Sequence, residues 1–181
     1  MSMMNGNNGY GWPAIAMHWI SAAAIFFLFL LGLWMVTLDY NSSFYHGAPY
    51  VHKSVGVLLM ILTLFRFLGN FFNPRPEHID GIIFDLLGLA VHIALYVFIF
   101  SLGITGYLMA TAESAPIEVF GWFEVPALFE PFDSQADLAA LLHKWLAYSM
   151  MALVSIHILG VLKHHYFDKD DTLKRMLRTR G

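Results

Sequence analysis

Four uninterrupted apolar runs, at roughly 14–38, 51–72, 82–110 and 138–164, constrain this chain more than any other feature. Each reaches the ~20 residues that an α-helix needs to cross a hydrocarbon core of ~30 Å. Lipid offers no partner to a bare N–H or C=O, so runs of this length are helices. Of the 181 residues, 58% are hydrophobic and 13% charged. Soluble domains carry roughly twice that share of charge, so the runs are not the core of a soluble fold. The expected class is all-α integral membrane: a four-transmembrane-helix bundle forming a single domain over 1–181, in contact with membrane lipid.

The flanks set the orientation. The tail after the fourth run carries Lys163, Lys169, Lys174, Arg175, Arg178 and Arg180, and the second connection adds Arg66 and Arg75. The third connection, 111–137, has no Lys or Arg and six acids. Basic residues stay on the cytoplasmic side, so both termini and the second connection are expected there and the third connection outside. The segment before the first run, "MSMMNGNNGYGWP", lacks the basic residues of a cleavable signal, so this run is expected to remain as a span.

There is no cysteine, which excludes thiolate-held iron–sulfur clusters, cysteine zinc sites and C-x-x-C-H haem attachment. No glycine-rich phosphate loop, internal repeat or nucleic-acid-binding pattern is present. A cofactor here needs nitrogen or oxygen ligands.

Histidine supplies the nitrogen. His143 and His157 share the fourth run, 14 residues apart. Along an α-helix that is a rise of ~21 Å and a rotation about 40° short of four turns, so the two project from nearly one face at two depths. The first span runs outward and carries His18 near its cytoplasmic start. The second runs inward and carries His52 near its external start. Depth therefore pairs His18 with His157 and His52 with His143. Imidazole in lipid needs a partner, and each pair suits the two faces of a haem iron. Bis-histidine ligation leaves no open position, so such an iron passes electrons. Small residues that would admit a flat macrocycle are Gly56, Gly103, Gly106 and Ala147.

Other polar residues carry more than one reading. Arg66, 14 residues after His52, either pairs with haem propionates or snorkels to the interface. His92 hydrogen-bonds a haem propionate, lines a quinone pocket or bonds to a neighbouring helix, in a supporting role rather than as a ligand. His164 and His165 either complement a helix C-terminus or face a quinone and supply its protons; Asp85 either joins that path or is simply an acid in a helix's first turn. His46 and His78 are expected in solvent. The aromatic, acidic third connection either seals the outer end or docks a basic periplasmic electron donor.

The stretches "MHWI", "YVHKSVGVLLMILTLFR", "AVHIALYVFIFSLGITGYLM" and "LLHKWLAYSMMALVSIHILGVLKHHYFDKDDTLKRM" resemble the bacterial cytochrome b561 family, related to the b-type cytochrome subunits of nickel–iron hydrogenases and formate dehydrogenases. The resemblance covers all four spans. It implies a protein of the bacterial inner membrane that holds two haem b groups and exchanges electrons with quinone. It implies His18, His52, His143 and His157 as axial ligands, and a cytoplasmic-side quinone site near His164. One relative oxidises superoxide and reduces ubiquinone; the acidic outer connection here would repel that anion. The function expected is electron transfer between a periplasmic partner and quinone, as a monomer or a homodimer. The rivals are a stand-alone superoxide:quinone oxidoreductase, a membrane subunit of a larger redox complex, and a haem-free scaffold or proton pathway.

Overall fold

Four long helices take up the apolar runs: α1 (Trp12–Met35), α2 (Gly47–Phe72), α3 (Ile82–Ala110) and α4 (Gln135–Lys163). All four are long and apolar enough to cross a membrane. In this computed structural model residues 9–72 and 82–177 are described, so Arg75, His78, Arg178 and Arg180 lie outside it, as does the side chain of Asp85. The helices bury few of their own residues. Leu30, Phe65, Leu86 and Leu159 remain about 60% exposed, the apolar surface that lipid covers. Two hydroxyls inside the spans are satisfied within their own helices. Ser21 donates to the carbonyl of Met17 at 2.7 Å and Thr105 to that of Ser101 at 2.8 Å, the i−4 bond that lets a hydroxyl sit in an apolar helix.

The chain divides into two compact units. One contains Met1–Ser21, Leu62–Val97 and Ser149–Gly181; the other contains Ala22–Ile61 and Phe98–Tyr148.

In the second unit the connection after α3 is not a plain loop. Ile117–Val119 (β1) and Phe123–Val125 (β2) pair antiparallel, with Val119 opposite Phe123. The turn between them places Phe120 at φ 48° and Gly121 at φ 70°, and the N–H of Trp122 donates to the carbonyl of Val119 at 2.9 Å. Positive φ at both central positions matches the twist of a hairpin. The hairpin is fastened to α2. Fully buried Ser54 donates to the carbonyl of Glu118 at 3.4 Å and accepts the N–H of Phe120 at 3.3 Å. Further along, the Tyr107 hydroxyl donates to the carbonyl of Pro126 and accepts the N–H of Leu128. Gln135, at the first position of α4, donates to the carbonyl of Leu108 at 2.8 Å. All six acids of 111–137 stay exposed on this anchored segment.

In the first unit α4 ends in one π-helical turn, His164–Asp168, closed by Lys169 at φ 57°. A four-residue helix α5 (Thr172–Arg175) follows. Trp19 of α1 donates its indole N–H to the carbonyl of Met176 at 2.7 Å, tying this tail back to the first helix.

Candidate functional site

Each unit brings two of the candidate histidines together, edge to face. His52 and His143 have ring centres 6.3 Å apart with planes at 66°. His18 and His157 have centres 6.4 Å apart at 64°. A metal–imidazole bond is ~2 Å, and the bonding nitrogen is ~1 Å from the ring centre, so two imidazoles sharing one ion from opposite sides have centres roughly 6 Å apart. Both separations fit that requirement.

Glycines lie against the His52 and His143 rings. A Cβ on Gly106 of α3 would meet His143 Cε1 at 3.3 Å, and one on Gly32 of α1 would meet His52 Cε1 at 3.4 Å. A side chain at Gly106 would crowd the His143 ring, whereas one at Gly32 would only touch His52. At Gly56, one turn beyond His52, a Cβ meets nothing within 4 Å, so that helix face is bare for a flat group. Gly103 instead lies under Met60, whose side chain a Cβ would strike. Gly32 was not among the residues singled out from sequence, because no spacing relates it to a histidine on another helix.

The Nδ1 atoms have different partners. His143 Nδ1 lies 3.1 Å from Thr105 Oγ1. Since Thr105 gives its own proton to the Ser101 carbonyl, it accepts the Nδ1–H and leaves the Nε2 lone pair for a metal, the usual arrangement behind a ligating histidine. His52 Nδ1 is buried and has no hydrogen-bond partner among the described residues. His18 Nδ1 lies 3.1 Å from an Arg66 nitrogen, and that guanidinium also stands 5.8 Å over the ring of Tyr96.

The remaining candidates sort by unit. His92 is exposed and meets His157 edge to face, ring centres 5.3 Å apart. Arg66, His92 and His157 thus surround the His18 end. His164 does not turn toward that group through Nδ1, which faces Asp168 at 2.9 Å and Asp170 at 3.1 Å. His165 meets Tyr166 edge to face, and His46 is exposed between Tyr40 and Tyr45.

Comparison with known proteins identifies the family. The family model for prokaryotic cytochrome b561 matches residues 9–179. Over 179 residues, 98% of this chain and 95% of the relative, the sequence is 48% identical to cytochrome b561 homolog 2 of Escherichia coli (strain K12). It is 30% identical over 129 residues, 70% of this chain and 73% of the relative, to the probable superoxide oxidase CybB of Yersinia pestis.

Proposed function

The chain belongs to the prokaryotic cytochrome b561 family, which implies membrane electron transfer with b-type haem, and from that premise we propose that it carries two haems and links a periplasmic redox partner to membrane quinone. The observation that carries the reading is the pair of matched histidine separations, 6.3 and 6.4 Å. His52 and His143 hold the outer haem; His18 and His157 hold the inner one. Bound there, the haems supply one-electron chemistry.

The protein's own groups set tautomer, charge and proton supply. Thr105 holds His143 with its Nε2 free. Arginine only donates, so its contact with His18 uses the Nδ1 lone pair. If His18 held the haem through Nε2, its Nδ1 would carry the proton and Arg66 would need another acceptor. A haem propionate is the acceptor of matching charge and fork geometry.

Quinone sits at the cytoplasmic end, near His164, His92 and Arg66. With Nδ1 of His164 held by carboxylates, its Nε2 accepts from a quinol hydroxyl, or donates to a quinone carbonyl once the ring is protonated. Both termini are cytoplasmic in this arrangement, and the single domain spans 1–181. On the other side, the six exposed acids favour a basic electron donor.

A second reading, superoxide:quinone oxidoreductase, is favoured by the name of the Yersinia relative. The acidic outer segment opposes it, because a field of that sign slows an anion's approach.

The test is a visible spectrum of the purified protein, oxidised and then dithionite-reduced, with pyridine haemochrome quantification. Two low-spin b haems per chain are expected. One haem leaves a single pair standing, and a colourless protein after haem-supplemented expression refutes the reading.

A further inference from the structure

Beyond the last turn of α4 the chain makes a second nitrogen–oxygen cluster, of which the quinone reading engages only the Nε2 edge of His164. The π turn and the left-handed Lys169 reverse the backbone: the N–H groups of Lys169 and Asp170 both return to the carbonyl of His164. That reversal brings two carboxylates, two residues apart, to the same ring nitrogen. His164 Nδ1 lies 2.9 Å from Asp168 Oδ2 and 3.1 Å from Asp170 Oδ2, and the three atoms lie within 4.8 Å of one another.

Asp170 is the informative member. Its side chain is only 7% exposed. One oxygen accepts the N–H of Thr172 at 2.8 Å. The other, Oδ2, is buried and faces His164 Nδ1 at 3.1 Å, and among the described residues it accepts no hydrogen bond. A carboxylate oxygen held out of water in this way is costly unless a charge partner meets it.

We infer that His164, Asp168 and Asp170 form a binding site for a divalent transition-metal ion of the zinc class. Two ligands at 2.0–2.2 Å from one ion stand roughly 3 to 3.5 Å apart, which the two nitrogen–oxygen distances approach. One imidazole with two carboxylates selects zinc-class ions, whereas calcium and magnesium take all-oxygen shells. The local charge agrees: two carboxylates against Lys163 leave a net negative centre. Lys163 shares Asp168 Oδ2 at 2.6 Å, with its own side chain 45% exposed. Exposed pairs of that kind are weak, so an incoming dication displaces the ammonium. Three protein ligands leave further positions for water, and the ion clamps the end of α4 to the chain leading into α5. The site stands without the quinone reading. Where that reading also holds, the ion fixes the His164 ring.

The experiment is zinc binding to the full-length, tag-free protein in detergent, by equilibrium dialysis with metal analysis and by calorimetric titration. One zinc equivalent of micromolar affinity, retained in excess magnesium, is expected. Asp170→Asn and Asp168→Asn should each lose that equivalent or weaken it at least tenfold, with haem content and spectrum unchanged as the check on folding. Zinc binding undiminished in both variants, or no equivalent tighter than millimolar in the parent protein, overturns the site. If Asp170→Asn does not fold, Asp168→Asn and His164→Gln decide in the same way. Quinone turnover is read separately, so its failure does not bear on the metal.

Discussion

The two histidine pairs are nearly identical in spacing and differ in almost everything around them. Ring centres stand 6.3 and 6.4 Å apart, at 66° and 64°. The His52–His143 pair, called outer in the proposed orientation, is backed by two glycines and a neutral hydroxyl, and Ser54, two residues after His52, fastens the hairpin. The inner pair has a guanidinium on one ring and a third histidine on the other. Equal spacing with unequal surroundings is what two copies of one redox group need if they face different partners. The levers available are the neighbouring charge, hydrogen bonding and burial. The outer end uses hydrogen bonding and close backbone approach; the inner end uses charge.

The comparison breaks most completely at the ligands. His143→Ala should leave one haem per chain, and His157→Ala the other one, as read by pyridine haemochrome and by which reduced band survives. Retention of two normal haems in either variant would sink the pairing. Next come the groups behind the ligands. Thr105→Val removes the acceptor for His143 Nδ1, and such losses cost about 10–100-fold in affinity for the bound metal group. Haem retention during dilution should fall at the outer site alone, and Thr105→Ser should restore it. Arg66→Gln acts on the other pair and by charge. Losing a cation near the inner iron favours its oxidised form, so that midpoint should fall by roughly tens of millivolts. A fall in the outer midpoint instead would show that the two ends are not separately tuned.

The existence of the four helices was legible because run length in a membrane admits one solution. Their starts were less so. α2 begins at Gly47 and α4 at Gln135, three to four residues before the apolar runs suggest. Gln135 opens α4 because its side chain is held by the carbonyl of Leu108 and by the N–H of Phe132, partners that hydropathy does not register. The hairpin was hidden for a related reason. Its strands have three residues each, and its turn puts Phe120 at a positive φ where Asn or Asp is the usual signal. Phe120 is held by ring contacts with Tyr50 and Trp122 instead. The π turn carries Lys169 where glycine would mark a left-handed stop, so "HHYFDKD" reads as a helix end rather than as a cluster. The histidines could be placed by depth from spacing alone; the Gly32 contact could not.

A smaller effect belongs to the glycines. Gly106→Ala puts a methyl at 3.3 Å from His143 Cε1, and Gly32→Ala puts one at 3.4 Å from His52 Cε1. The first is tight and the second ordinary. Gly106→Ala should therefore broaden or shift the outer haem's reduced band, Gly32→Ala should do so less, and Gly160→Ala, where a Cβ meets nothing within 4 Å, not at all. Equal responses from all three would mean that helix propensity, not ring contact, is being read.

The smallest effect is expected at Ser54, and it asks whether the hairpin is a fixed part of the outer end or merely rests on it. Ser54 is fully buried, yet its two bonds to the hairpin are long, 3.3 and 3.4 Å. Long bonds between neutral groups contribute modestly, so Ser54→Ala should destabilise the hairpin locally by about 1 kcal/mol. That corresponds to roughly fivefold more opening. Amide exchange across 117–125 reports it directly, because local opening of a surface element is read separately from global unfolding. If the hairpin covers the outer haem, faster exchange should be accompanied by faster reduction of that haem by a small soluble reductant, with the inner haem unchanged. Faster exchange without faster reduction would mean that the hairpin serves the acidic surface and leaves access to the His52–His143 pair to the helices.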